Sequence, residues 1–141
     1  MVEYYKKVVF ENYANFKGRA RRSEYWYFIL AQFVIMISIF IVAAIIGAVL
    51  GDVLSGVLIG NFAYMLYCLA TILPALGVVV RRLHDVGKSG WFYFISLIPF
   101  IGGIWLLVLL VTDGDYGSNQ YGHDPKNIAD EIKEIGNAEL H

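Results

Sequence analysis

Cysteine is almost missing from this 141-residue chain, and the single one, Cys68, sits inside an apolar run. That excludes an intramolecular disulfide framework and a cysteine-based metal site. Charge is scarce too, at 16% of residues, where ordinary soluble domains carry ~25%. Three stretches have no Asp, Glu, Lys, Arg or His at all: Tyr25 to Gly51 (27 residues), Val53 to Val80 (28) and Ser89 to Thr112 (24). A water-soluble domain of this size needs charge over its whole surface, so that class is excluded and one compact membrane domain remains. What the chain has in abundance is apolar side chains, 58% of the total.

A hydrocarbon core ~30 Å thick takes about 20 helical residues to cross. Helices are required because lipid offers no hydrogen-bond partner to an exposed backbone. The expected fold is therefore an all-α membrane protein with three transmembrane helices, at about 23–50, 58–80 and 90–111. These fill a transmembrane domain over 25–112, with a basic juxtamembrane segment at 1–24 and a Gly/Asn/Tyr-rich turn with an acidic tail at 113–141. Gly51, Asp52, Ser55, Gly56, Gly60 and Asn61 mark the first turn, and Pro99 with Gly102 and Gly103 predicts a bend in the third span. The first apolar run is about twice the ~7–15-residue core of a signal peptide, so it reads as an uncleaved anchor. Before it, Val2, Tyr5, Val9, Tyr13 and Phe16 recur at helical spacing. They suit an amphipathic helix lying at the membrane interface, or equally an ordinary helix packed on its own loops.

The formal net charge of −1 hides an asymmetry. Residues 1–24 hold six Lys/Arg, the first turn none, the segment Arg81–Lys88 three and the residues from Asp113 onward two, against seven acids in that last stretch. High, zero, high, low fits a cytoplasmic N-terminus, an external first turn, a cytoplasmic second loop and an external tail. Tyr25, Trp26 and Tyr27, and again Trp91, Phe92 and Tyr93, are the aromatic belts expected at headgroup level. The basic residues flank apolar spans instead of forming a soluble basic face, which argues against nucleic acid as a partner.

Two segments hold the candidate chemistry. In Gly18-Arg19-Ala20-Arg21-Arg22-Ser23-Glu24-Tyr25-Trp26, three arginines precede a membrane helix, where guanidinium groups suit lipid phosphates or simply fix topology. Ser23 is placed to cap the helix, with Glu24 in its first turn. In Arg81-Arg82-Leu83-His84-Asp85-Val86-Gly87-Lys88-Ser89-Gly90-Trp91, the Gly-Lys-Ser lacks the earlier glycine of a phosphate-binding loop, since Arg82 stands there. Arg81 and Asp85 are spaced to pair, and Ser89 to cap the third helix. His84 beside Asp85 is the one pair resembling an acid–base unit, although adjacent helical residues point about 100° apart. Glu24 and Asp85 are expected to cross-pair with Arg19, Arg22, Arg81 or Arg82. Asp113, Asp115 and Asp124 fit part of a calcium-loop spacing, which fails at Gly117 and Ser118. Further on, Ile128, Ile132 and Ile135 sit on one helical face among acids.

These motifs, with Gly117, Asn119, Tyr121-Gly122 and Asp124-Pro125, resemble the YhaH-like family of small bacterial inner-membrane proteins, domain of unknown function 805. The resemblance covers roughly residues 8–125 and implies a bacterial cytoplasmic membrane and several helical spans, but no reaction. The expected function is that of a non-enzymatic membrane protein gripping anionic lipid headgroups or an acidic protein partner. Arg19, Arg21, Arg22, Arg81, Arg82, His84 and Lys88 are the expected binding set, with Glu24 and Asp85 as structural partners; neither metal nor cofactor is expected. One alternative is an enzyme acting on a lipid phosphate with His84 as acid–base. Another is a small subunit of a channel or transporter, although the spans lack the ionisable residues of ion pathways. The small residues Ala43, Gly47 and Gly51, and Gly56 with Gly60, suit either a homo-oligomer or packing of the first helix on the second.

Overall fold

The computed structural model describes residues 1–125, and the expected Ile128/Ile132/Ile135 face lies outside them. Four α-helices follow one another: α1 (Val2–Lys6), α2 (Arg22–Leu50), α3 (Val53–Asp85) and α4 (Gly102–Val111). A π turn, Lys7–Glu11, extends α1, and a 3-10 segment, Gly90–Leu97, precedes α4. No strand occurs among the described residues.

At 29 and 33 residues, α2 and α3 are about 43 and 50 Å long. Both are long and apolar enough to cross a membrane. Only two residues separate them. Gly51 takes a left-handed φ of 69°, its N–H donating to Ala48 and that of Asp52 to Gly47, which closes α2. Asp52 then caps α3, its carboxylate accepting from the Leu54 N–H at 3.1 Å and from the Ser55 hydroxyl. The second helix thus starts five residues earlier than expected, because Asp52 supplies a cap where the glycines alone read as a turn.

The small residues bring α2 and α3 together. A Cβ on Gly47 would lie 2.9 Å from the Gly56 Cα, and one on Gly56 2.9 Å from the Ala43 carbonyl. Gly60 faces Ala43 and Phe40 in the same way. Gly47, Gly56 and Gly60 are buried within the chain, leaving Gly51 alone exposed, so the stripe considered for a homo-oligomer is already covered.

Pro74 lies inside α3 and cannot donate to the carbonyl four residues back, that of Ala70. The Tyr13 hydroxyl donates to that carbonyl at 2.7 Å. Tyr5 adds a hydroxyl contact to Tyr67 at 3.0 Å and stacks on Phe28. The N-terminal segment is therefore docked on α2 and α3, with Val8 fully buried in the core beside Ala20, Phe28, Val78 and Leu83. Arg21, not Ser23, occupies the N-cap of α2; Ser23 donates to the Tyr4 hydroxyl instead.

The third uncharged run departs furthest from a straight span. The 3-10 segment of 8 residues covers about 16 Å at ~2 Å rise, and α4, with 10 residues, about 15 Å. Each is near half the ~30 Å core. They pack against each other, and a Cβ on Gly102 would collide with the Ile95 carbonyl. At the turn, Phe100 holds a φ of 66°, which a non-glycine residue rarely adopts, and is 95% exposed. Gly90 abuts Val80, while the carbonyls of Leu110, Val111 and Thr112 accept from Arg82 and Arg22. Both ends of the run therefore lie at the arginine-rich end of α2 and α3. The segment after α4 returns to that end, with the Asp115 N–H donating to the Asp85 carbonyl.

Candidate functional site

The Arg81–Asp85 stretch is no loop: it is the last turn of α3, and all five residues are buried. This turn projects beyond Val80, the end of the uncharged run, into the gap between the N-terminal segment, the start of α2 and the residues following α4. Backbone contacts fix the frame, with the Ala20 N–H donating to the Arg81 carbonyl at 2.9 Å and the Asp115 N–H to the Asp85 carbonyl at 2.6 Å.

Asp85 is the hub. One carboxylate oxygen accepts from Arg19 Nε at 3.0 Å and the other from Arg82 Nη1, with all three side chains at most 1% exposed. Arg19 reaches on to the carbonyls of Gly117 and Asp115, both at 2.6 Å. Arg82 Nε donates to the Leu110 carbonyl at 3.1 Å and Nη2 to that of Thr112. These are C-terminal carbonyls of α4, which have no partner within their helix and form the negative end of its dipole, so a guanidinium satisfies both needs. Arg22 does likewise at the rim, donating to the Val111 carbonyl at 3.2 Å while pairing with Asp113 at 2.8 Å.

A second cluster joins α2, α3 and the N-terminal segment. Arg81 Nη1 pairs with Glu24 at 2.6 Å, and Lys7 Nζ lies 3.4 Å from the other Glu24 oxygen. The Nε and Nη2 of Arg81 and the Nε of Arg21 are buried without a hydrogen-bond partner among the described residues. The pairing expected of Arg81 with Asp85 is not the one formed: adjacent helical positions point about 100° apart, and Arg81 turns to Glu24 while Arg82 takes Asp85.

His84 is held on three sides. Its Nδ1 lies 2.9 Å from the Gly18 carbonyl, which can only accept, so Nδ1 carries the proton. Its ring stacks on Tyr121 with centroids 4.0 Å apart, and its own carbonyl accepts from Asn119. Asp85 turns both oxygens to arginines, so the His84–Asp85 pair forms no acid–base dyad.

The binding set thus splits. Arg19, Arg81 and Arg82 turn inward, Arg19 and Arg82 onto carboxylate and carbonyl oxygens and Arg81 onto Glu24. Arg21 is half-buried, whereas Arg22 and Lys88 stay exposed, the latter over the Phe92 ring at 5.6 Å. Sequence reasoning missed Lys7, Asp113, Asp115 and Asn119 as members of this network. Asn119 stood among the motif residues, which was the available signal, but a Gly/Asn/Tyr-rich stretch reads as a turn until its partners are seen. Of the calcium-spaced acids, Asp113 pairs with Arg22, and Asp124 accepts from the Gly117 N–H at 3.1 Å.

Comparison with known proteins agrees with this picture of a membrane domain. The chain is 43% identical over 118 residues to inner membrane protein YhaI of Escherichia coli K12, covering 84% of this chain and 92% of that one. It is 37% identical over 125 residues to inner membrane protein YhaH of the same strain, covering 89% and 98%. The uncharacterized protein YiiR is 29% identical over 139 residues, 81% of this chain and 88% of its own. No solved structure matches. These relatives support an inner-membrane location. Residues 13–123 match the family described as Protein of unknown function (DUF805), and the chain belongs to that family.

Proposed function

We propose that this chain is a non-enzymatic, multi-pass inner-membrane protein that holds anionic lipid headgroups at its cytoplasmic end. Two crossings, α2 and α3, place the N-terminus and the residues after α4 on one side. The run from Ser89 to Thr112 enters the near leaflet and returns. The observation that carries this reading is the division of labour among the cations. Arg19, Arg81 and Arg82 are consumed by internal partners, while Lys6, Lys17, Arg22 and Lys88 are exposed around the same end. Trp26, Tyr27 and Trp91 are exposed near them, as rings at headgroup level are. Exposed cations at that level attract anionic lipid by about 1 kcal/mol each, and the positive-inside rule puts this end in the cytoplasm.

The test is native mass spectrometry of the full chain extracted with native lipids, compared with a Lys6→Gln/Lys17→Gln/Lys88→Gln variant. Wild type is expected to retain phosphatidylglycerol that the variant loses, with unchanged insertion and helix content. Equal retention would refute the grip and leave these cations as topology signals only.

A further inference from the structure

A cavity of about 390 Å³ opens beside His84, between the end of α3, the N-terminal loop and the start of the 3-10 segment. Its walls include Phe16, Leu76, Val80 and Trp91, and its polar groups include His84 and Ser89. Among the described residues, no Lys, Arg, Asp or Glu lines it. Such a pocket, mostly apolar and aromatic with a few fixed polar groups, has the build and the size of a small-molecule site.

We propose that this cavity holds the hydroxyl-bearing headgroup of a neutral glycerolipid, whose O–H donates to His84 Nε2. The imidazole is pre-oriented for this. Gly18 engages Nδ1 and Tyr121 covers one ring face, so Nε2 is the nitrogen left for a ligand, and in the neutral ring it accepts. The Ser89 oxygen accepts from the Trp91 N–H at 3.3 Å, which leaves its own proton to donate to an oxygen of the same headgroup. A phosphate would meet the lone pair of Nε2 and no compensating cation, so the chemistry selects a neutral alcohol over an anionic headgroup. The exposed rings of Trp91 and Phe94 flank the opening where headgroups meet lipid chains, so the acyl chains of such a molecule can run on into the bilayer.

This site is separate from the basic rim, and the test separates them. The full chain in detergent is titrated with dioleoylglycerol and, separately, with dioleoylphosphatidylglycerol, and adducts are read by native mass spectrometry. His84→Asn keeps an amide donor where Nδ1 sits but removes Nε2, and Leu76→Phe fills the cavity without touching the imidazole. Both variants are expected to bind dioleoylglycerol about tenfold more weakly, the loss of one good hydrogen bond or of the space for the ligand. Both are also expected to retain phosphatidylglycerol as wild type does. Should His84→Asn fail to fold, Leu76→Phe decides alone. Undiminished dioleoylglycerol binding by either folded variant, no binding by wild type, or displacement from the cavity by equimolar phosphatidylglycerol would each overturn the assignment.

Discussion

Arg82 donates to four oxygens, on Ala20, Asp85, Leu110 and Thr112, and none of its side-chain surface is exposed. Removing one partner of such a buried pair leaves an uncompensated charge and costs about 3–5 kcal/mol. Arg82→Ala is accordingly expected to lower the unfolding midpoint in detergent sharply, whereas Lys88→Ala, on an exposed side chain, is expected to leave it unchanged. The same logic makes Arg82 a poor probe of lipid binding, since its loss undoes the scaffold first. Tyr13→Phe strips the one hydroxyl that satisfies the Ala70 carbonyl freed by Pro74. An unsatisfied backbone group costs about 1–3 kcal/mol, and limited proteolysis near Glu11–Lys17 is expected to accelerate as the N-terminal segment loosens. Asp52 offers a pH test. The Ser55 hydroxyl holds its carboxyl below the ordinary Asp value; desolvation opposes this, and the Leu54 and Ser55 backbone N–H groups add to the lowering. A depressed carboxyl contributes its stabilisation in full above the unfolded value and loses it as pH falls through the folded one. The Leu54 amide resonance is therefore expected to titrate below the usual Asp range, and a midpoint at or above that range would contradict the cap.

Among the elements, the helices α2 and α3 were readable because charge deserts of 27 and 28 residues leave few other structures open to a chain in lipid. Their contact was half-readable: the glycines announced close packing but not whether the facing surface belonged to the same chain. Gly47→Leu is expected to force α2 and α3 apart and to destabilise the domain by several-fold in its folded fraction, measurable by thermal unfolding. The folded-back third run was not readable. An uncharged run of 24 residues has the same composition straight or doubled, and Pro99 signals a bend without its angle. What settles its course is held by remote partners, with Arg82 capping carbonyls 28 and 30 residues further on. The candidate site was hidden only in part. Arg19 and Asp85, 66 residues apart, stood among the expected cross-pairs, as did Arg81 with Glu24, but a count of basic residues is blind to how many guanidinium groups face water and how many a carboxylate.

At the scale of the whole molecule, the charged end is a latch. It ties the N-terminal segment, α2, α3, α4 and residues 113–125 to one another through Glu24, Asp85 and five basic side chains, Lys7, Arg19, Arg22, Arg81 and Arg82. The opposite end, at Gly51–Asp52, is a bare turn. This polarity makes the account of two crossings and a half-depth hairpin open to direct contradiction. The measurement that tests it most directly is single-cysteine labelling in intact inner-membrane vesicles of known orientation, with Cys68 replaced by Ala. Ser118→Cys is expected to react with an impermeant maleimide from the cytoplasmic side, and Ser55→Cys only from the other. If Ser118→Cys and Ser55→Cys label from the same side, the third run crosses the membrane and the account is wrong.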